Sequence, residues 1–162
     1  MRPFIRIIFL TVFLICAGSL VYALYLQLVK NLLPCPLCVA QRLSYWVIGL
    51  TAMVAIAHNP RALGRRLYSG VMIVAALVGG VVATRHSWLV RYPESFECGI
   101  SPEERLLNSL PIARWWPTMF EANGDCSESS WELMSLTIPD WSAILFILMA
   151  IMSGYALLTR QR

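Results

Sequence analysis

Four stretches of the chain carry no formal charge and are apolar almost throughout: Ile7 to Val29, Leu43 to Ala57, Leu67 to Thr84 and Trp141 to Thr159. A helix rises about 1.5 Å per residue, so about 20 apolar residues cross a hydrocarbon core of about 30 Å. Each stretch is predicted to be a transmembrane helix, over about 7–29, 39–57, 67–84 and 141–159. The second is short between Arg42 and His58. It reaches spanning length by starting near Val39 and taking Arg42 into its first turns. The whole chain, 1–162, then reads as one integral membrane domain: an all-α, four-helix transmembrane bundle whose connections at about 30–38 and 85–140 share one side.

Composition agrees with the bilayer as solvent, because 58% of the 162 residues are hydrophobic and 14% charged, too apolar for an ordinary soluble domain. The first stretch also has traits of a signal peptide, with Arg2 and Arg6 ahead of an apolar run ending near Val21-Tyr22-Ala23. That run is longer than a typical signal core, and its removal would leave the termini on opposite sides, so a retained helix is expected. A lipoprotein reading of Leu14-Ile15-Cys16-Ala17 is weaker still, since Ile rather than a small residue precedes the cysteine. Cys16 is expected to pack inside the first helix.

Orientation follows from the positive charges, because Lys and Arg in short loops tend to stay cytoplasmic. Arg2, Arg6, Arg61, Arg65, Arg66, Arg160 and Arg162 all fall on one side of the predicted spans. The other side holds Lys30 in a short connection and all nine acidic residues in the long one. Both termini are therefore expected to be cytoplasmic and both cysteine-bearing loops to face outward. The net charge of +4 fits this asymmetry and gives no reason to invoke nucleic acid.

Four of the five cysteines, Cys35, Cys38, Cys98 and Cys126, are sent to the outward side, where thiols without metal tend to pair. Four cysteines allow three pairings; proximity favours Cys35 with Cys38, leaving Cys98 with Cys126. The first pair lies in Pro34-Cys35-Pro36-Leu37-Cys38, immediately before a predicted helix. Unpaired N–H groups and the positive dipole end at a helix start favour a thiolate there. Arg42 follows Cys38 by four residues and so shares its helix face one turn deeper. An ionisable group at that depth points to function, against the alternative of an arginine snorkelling to the interface. A four-cysteine zinc site is the rival use of these residues. It is disfavoured because Cys98 and Cys126 lie 28 positions apart without a second C-x-x-C, on an oxidising side.

The long connection is expected to lie along the membrane. Ser101-Pro102-Glu103-Glu104 has the form of a capping box opening a short interfacial helix through Arg105, Leu106, Leu107 and Leu110. Trp115, Trp116, Met119 and Phe120 then form an aromatic cluster suited to the headgroup level. Asn123-Gly124-Asp125 reads as a turn just ahead of Cys126, and Pro139-Asp140 as the start of the fourth helix. Cys98 and Cys126 either staple this connection or exchange with the C-x-x-C pair, which needs only in-line approach of a thiolate. Two electrons must then be accepted, and a lipid-soluble acceptor beside Cys38 and Arg42 would suffice.

These residues resemble the disulfide bond formation protein B (DsbB) family, bacterial inner-membrane thiol:quinone oxidoreductases. The likeness covers nearly the whole chain: four spans, Pro34-Cys35-Pro36-Leu37-Cys38 followed by Gln41-Arg42, the run Arg85-His86-Ser87-Trp88-Leu89, Cys98, Cys126, and Trp131 ahead of Pro139-Asp140-Trp141. The resemblance implies reoxidation of a periplasmic, thioredoxin-fold oxidase of the DsbA type, with two electrons passed to ubiquinone, or to menaquinone as the alternative. Together, DsbA, DsbB and quinone are the established system that keeps periplasms oxidising. By the same likeness, Cys98 would take the mixed disulfide with the partner, Cys126 would attack Cys35 or its bridge, and Cys38 would face the quinone. Arg42 would hold a quinone oxygen and His86 would lie near the quinone as a hydrogen-bond or proton donor, with an interfacial histidine as the plainer alternative. His58 is expected at the cytoplasmic surface. The 27 residues between Cys98 and Cys126 depart from the commoner pattern, so partner docking does not carry over.

Two other readings compete. A four-span scaffold stapled by one loop disulfide leaves Cys35 and Cys38 without a role. A vitamin K epoxide reductase-like enzyme shares four spans, a C-x-x-C and quinone chemistry, but there the active pair typically lies late in the chain. Gly79-Gly80 is expected to allow close helix packing.

Overall fold

The computed structural model describes residues 3–92, 107–122, 124, 132–133 and 136–159. Four long helices dominate: α1 (Pro3–Lys30), α2 (Pro36–His58), α3 (Ala62–Arg91) and α6 (Ile138–Leu158). Among the described residues between α3 and α6 lie a helical turn at 107–109, two short helices, α4 (Pro111–Trp115) and α5 (Pro117–Phe120), and an antiparallel pair of two-residue strands, β1 (Glu132–Leu133) and β2 (Leu136–Thr137). All four long helices are long and apolar enough to cross a membrane.

Around the bundle α2 packs on α1 and α3, α3 packs on α6, and α6 closes back on α1. α1, α3 and α6 each turn one narrow stripe inward, whereas α2 is buried across half of its span. In α1 it runs Ile5, Phe9, Val12, Cys16 and Leu20, and in α3 Arg65, Ser69, Met72, Ala76, Gly79, Ala83 and His86, at the three- and four-residue steps of a helix face. Ser69, Ala76, Gly79 and Ala83 of this stripe are small, which lets backbones approach. A Cβ on Gly79 would lie 2.5 Å from the Phe146 ring of α6, and that ring stacks on Tyr45 of α2 with centroids 4.4 Å apart. The expected role of Gly79 in helix packing is thus met by one aromatic ring. Cys16 is fully buried in α1, with Sγ 3.5 Å from Met149 Sδ.

The outward faces are apolar as well. Val21, Val81 and Ile151 are 66%, 70% and 64% exposed, in the middle of their helices. In water such a surface would drive aggregation, whereas lipid tails accept it and the helices satisfy their own backbone groups. The protein is a multi-pass, all-α membrane protein.

Helix ends depart from the hydropathy reading. α3 runs from Ala62 to Arg91 rather than 67–84, so Arg85, His86 and Arg91 are helical and the long connection starts at Tyr92. Charge ends an apolar run without ending a helix. The first connection shrinks from about 30–38 to 31–35, because α2 begins at Pro36. Arg65, expected in a charged loop, is 1% exposed inside α3 and donates from Nη2 to the Thr159 carbonyl at the end of α6. His58 is exposed, as expected, and hydrogen-bonds Tyr68 at 2.9 Å.

Residues 107–122 of the long connection pack their apolar side on the bundle. Ala113, Met119, Phe120 and Ala122 are buried and Leu107 packs on the core, while Trp115 is 84% exposed. The predicted capping box at 101–104 lies outside the described residues. α6 opens earlier than Pro139-Asp140 suggested: its cap is Thr137, whose backbone N–H and hydroxyl both donate to Asp140 Oδ2, at 2.9 and 2.7 Å. Asp140 also takes a salt bridge from Arg91 at 3.0 Å and a hydrogen bond from Ser87, tying the start of α6 to the end of α3.

Candidate redox site

Pro36 occupies the first turn of α2, where its missing N–H costs nothing and its fixed φ starts the helix. Cys35 is consequently the cap residue, extended at φ −77° and ψ 166°. Its sulfur does what a serine oxygen does elsewhere, accepting the Cys38 backbone N–H at 3.2 Å. The two sulfurs are 3.0 Å apart. Cys35 is buried at 1% exposure, while Cys38 is partly open. Local sequence alone therefore builds a close thiol pair with a backbone donor aimed at the inner sulfur.

Two further side chains converge on this pair. His86, brought by the extension of α3, lies with Nε2 3.6 Å from Cys35 Sγ and Nδ1 4.0 Å from Cys38 Sγ. Gln41, three residues after Cys38, holds the ring through Nε2 at 3.1 Å from His86 Nδ1. If the amide donates there, the imidazole proton is on Nε2, facing Cys35. In the sequence Gln41 stands out only as part of the motif that follows Cys38. Its spacing on the Cys38 face of α2 was the available signal. The sulfurs of Cys35 and Cys38 and a ring nitrogen of His86 all lie within 4.8 Å of one another, a donor set that a thiophilic ion such as zinc would accept.

Arg42 is not a snorkelling residue. It is 6% exposed, with Nη1 donating to Gln27 Oε1 at 2.8 Å and to the Met119 carbonyl at 3.2 Å, and Nη2 to the Ala23 carbonyl at 3.5 Å. The guanidinium thus joins α1, α2 and α5, and its Nε has no hydrogen-bond partner among the described residues. Gln27, an uncharged residue inside an apolar run, gave no sign in sequence of being its acceptor.

Cys35, Cys38, Gln41, Arg42, Tyr45 and His86 line one cavity of about 430 Å³. Leu26 of α1 and Leu145 of α6 give it apolar walls. That volume is in the range of small-molecule sites, with a few polar groups converging on an apolar space. Four of the six residues singled out in sequence meet here. Cys98 and Cys126 lie outside the described residues.

The profile of the family described as disulfide bond formation protein DsbB matches residues 5–156. The chain belongs to the DsbB family. A relative from Nitrosospira multiformis, named disulfide bond formation protein B, is 63% identical over 161 residues, spanning 99% of this chain and 95% of its own. Proteins of the same name from Nitrosomonas europaea and Aromatoleum aromaticum are 59% and 43% identical, covering 97% and 90% of this chain and 94% and 88% of theirs. DsbB membership connects the chain to disulfide bond formation, in keeping with an oxidoreductase. It favours a role in disulfide bond formation over the scaffold and the vitamin K epoxide reductase-like readings.

Proposed function

We propose that the protein is a dithiol:quinone oxidoreductase of the bacterial inner membrane, which reoxidises a periplasmic DsbA-type oxidase and passes two electrons to ubiquinone or menaquinone. The observation that carries this reading is the convergence of Cys35, Cys38, Arg42 and His86 on one cavity inside a membrane bundle. Both cysteine-bearing loops then face the periplasm and both termini the cytoplasm. The burial of Arg65 leaves that orientation to Arg2, Arg6, Arg61, Arg66, Arg160 and Arg162.

The partner's thiolate attacks the Cys98–Cys126 disulfide, leaving a mixed disulfide on Cys98 and a thiolate on Cys126. Cys126 attacks Cys35, the Cys35–Cys38 bond breaks, and the electron pair leaves on Cys38. The second partner thiol then displaces Cys98, and the oxidised partner departs. The backbone N–H of Cys38 and the imidazole of His86 lie against Cys35 Sγ and orient the sulfur under attack. Arg42, which lines the cavity, offers its charge to an acceptor oxygen, and Gln41 keeps His86 oriented. A bound quinone supplies the acceptor for two electrons and two protons. A DsbA-type oxidase has a potential of roughly −120 mV, so electrons leave it only for an acceptor of higher potential, which favours ubiquinone.

The test is turnover of purified protein with a reduced DsbA-type oxidase and ubiquinone, followed by quinone absorbance. Quinone loss that requires each of Cys35, Cys38, Cys98 and Cys126 supports the reading. Turnover that survives Cys35→Ser overturns it.

A further inference from the structure

Gly124 donates its backbone N–H to the Pro34 carbonyl at 3.0 Å. A Cβ at this position would lie 2.3 Å from the Leu33 carbonyl oxygen, 2.9 Å from its carbon and 3.1 Å from the Cys35 nitrogen. These neighbours are backbone atoms, which cannot swing aside as the tip of a side chain can. Close approach of two backbones is a use to which glycine alone is suited. The seat is therefore specific to residue 124 having no side chain.

The same chain segment is held a second time, two residues earlier. Asn108 donates from Nδ2 to the Ala122 carbonyl at 3.1 Å and accepts the Ala122 N–H on Oδ1 at 2.9 Å. One amide side chain thus pairs both polar groups of Ala122, as a neighbouring strand would. Ala122 is fully buried. The connection is fastened at 122 to its own helical turn and at 124 to the backbone that enters Cys35.

Resting on the proposed relay from Cys126 to Cys35, we propose that Gly124 is a positioning residue for disulfide exchange, its close seat on Leu33–Cys35 limiting the distance over which Cys126, two residues on, must search for Cys35. At most about 7 Å of extended chain separates residues two apart, so a contact at Gly124 restricts the search of Cys126 for Cys35. Such a tether raises effective concentration without adding any contact to the reacting atoms. In the step served, the Cys126 thiolate bonds to Cys35 Sγ, the Cys35–Cys38 bond breaks and Cys38 leaves as a thiolate, with no external oxidant.

The experiment uses the full chain carrying Cys38→Ser and Cys98→Ser, which leaves Cys35, Cys126 and the buried Cys16. In a glutathione redox buffer, formation of the Cys35–Cys126 disulfide is followed by alkylation and mass spectrometry, with thermal unfolding recorded beside it. Gly124→Ala and Gly124→Val are expected to slow the crosslink about tenfold or more. Asn108→Ala, which introduces no clash, is expected to slow it too. Crosslinking at the parent rate in both Gly124 variants overturns the proposal. If those variants unfold early, Asn108→Ala decides: slower crosslinking in a folded chain supports the proposal, and the parent rate overturns it. The readout needs neither quinone nor partner. Absence of the crosslink in the parent refutes the relay itself, whereas equal rates in parent and variants refute only the role of Gly124.

Discussion

His86 Nε2 and Cys35 Sγ are 3.6 Å apart although 51 positions separate them in the chain. The contact exists because α3 continues past its apolar run to Arg91, lifting the imidazole to the mouth of α2. A ring nitrogen at that distance can give a hydrogen bond to a sulfur anion and hold a proton beside it.

Replacing His86 with Ala is accordingly expected to slow quinone reduction by about a hundredfold, the lower range for a positioned proton-transfer group. Initial rates across pH check it. The variant should also lose the part of the pH dependence that belongs to the imidazole. An unchanged rate and profile would return His86 to a structural role.

Arg42 is expected to tolerate no substitution, Lys included. Its fork reaches Gln27 and the carbonyls of Met119 and Ala23 at once, a geometry an ammonium cannot reproduce. Arg42→Lys should raise the KM for quinone about tenfold with a smaller effect on kcat, as for a lost binding interaction. Steady-state kinetics with quinone varied at saturating reduced partner separates the two.

Gly79→Ala is expected to destabilise the bundle by about 1–3 kcal/mol, because the added methyl meets the Phe146 ring. Thermal unfolding in detergent measures it. Phe146→Leu in the same chain should recover part of the loss, since residues in contact are energetically coupled.

Asp140→Asn is expected to cost about 1 kcal/mol or somewhat more, through the α6 cap at Thr137 and the salt bridge to Arg91. Arg91 is half exposed, so most of the effect should come from the cap. Arg91→Ala should then unfold closer to the parent than Asp140→Asn does. The reverse order would assign the loss to the ion pair.

Features that depend on local chemistry were legible in the sequence. Uncharged runs located the four spans, Pro36 placed Cys35 at a helix start, and the four-residue step put Arg42 on the Cys38 face. What was hidden depends on distant segments meeting. Arg65 reads as a loop charge because nothing nearby tells that the end of α6 will bury it and supply the Thr159 carbonyl. Gln27 and Gln41 become ligands of Arg42 and His86 only once three helices converge. Gly124 looks like an ordinary turn residue until the Leu33–Cys35 backbone lies against it. Helix ends were misplaced for a different reason: a charged residue leaves the apolar pattern while its backbone keeps the helical hydrogen bonds.

The claim that Cys38 hands electrons to a quinone in the cavity is tested most directly by single turnover without oxygen. Reduced DsbA-type oxidase is mixed with quinone-loaded protein, and quinone absorbance and partner disulfide are quantified together. One quinone reduced for each partner disulfide formed, with no quinone reduction in Cys38→Ser, is the predicted result. Partner oxidation without matching quinone loss, or undiminished quinone loss in Cys38→Ser, would contradict it.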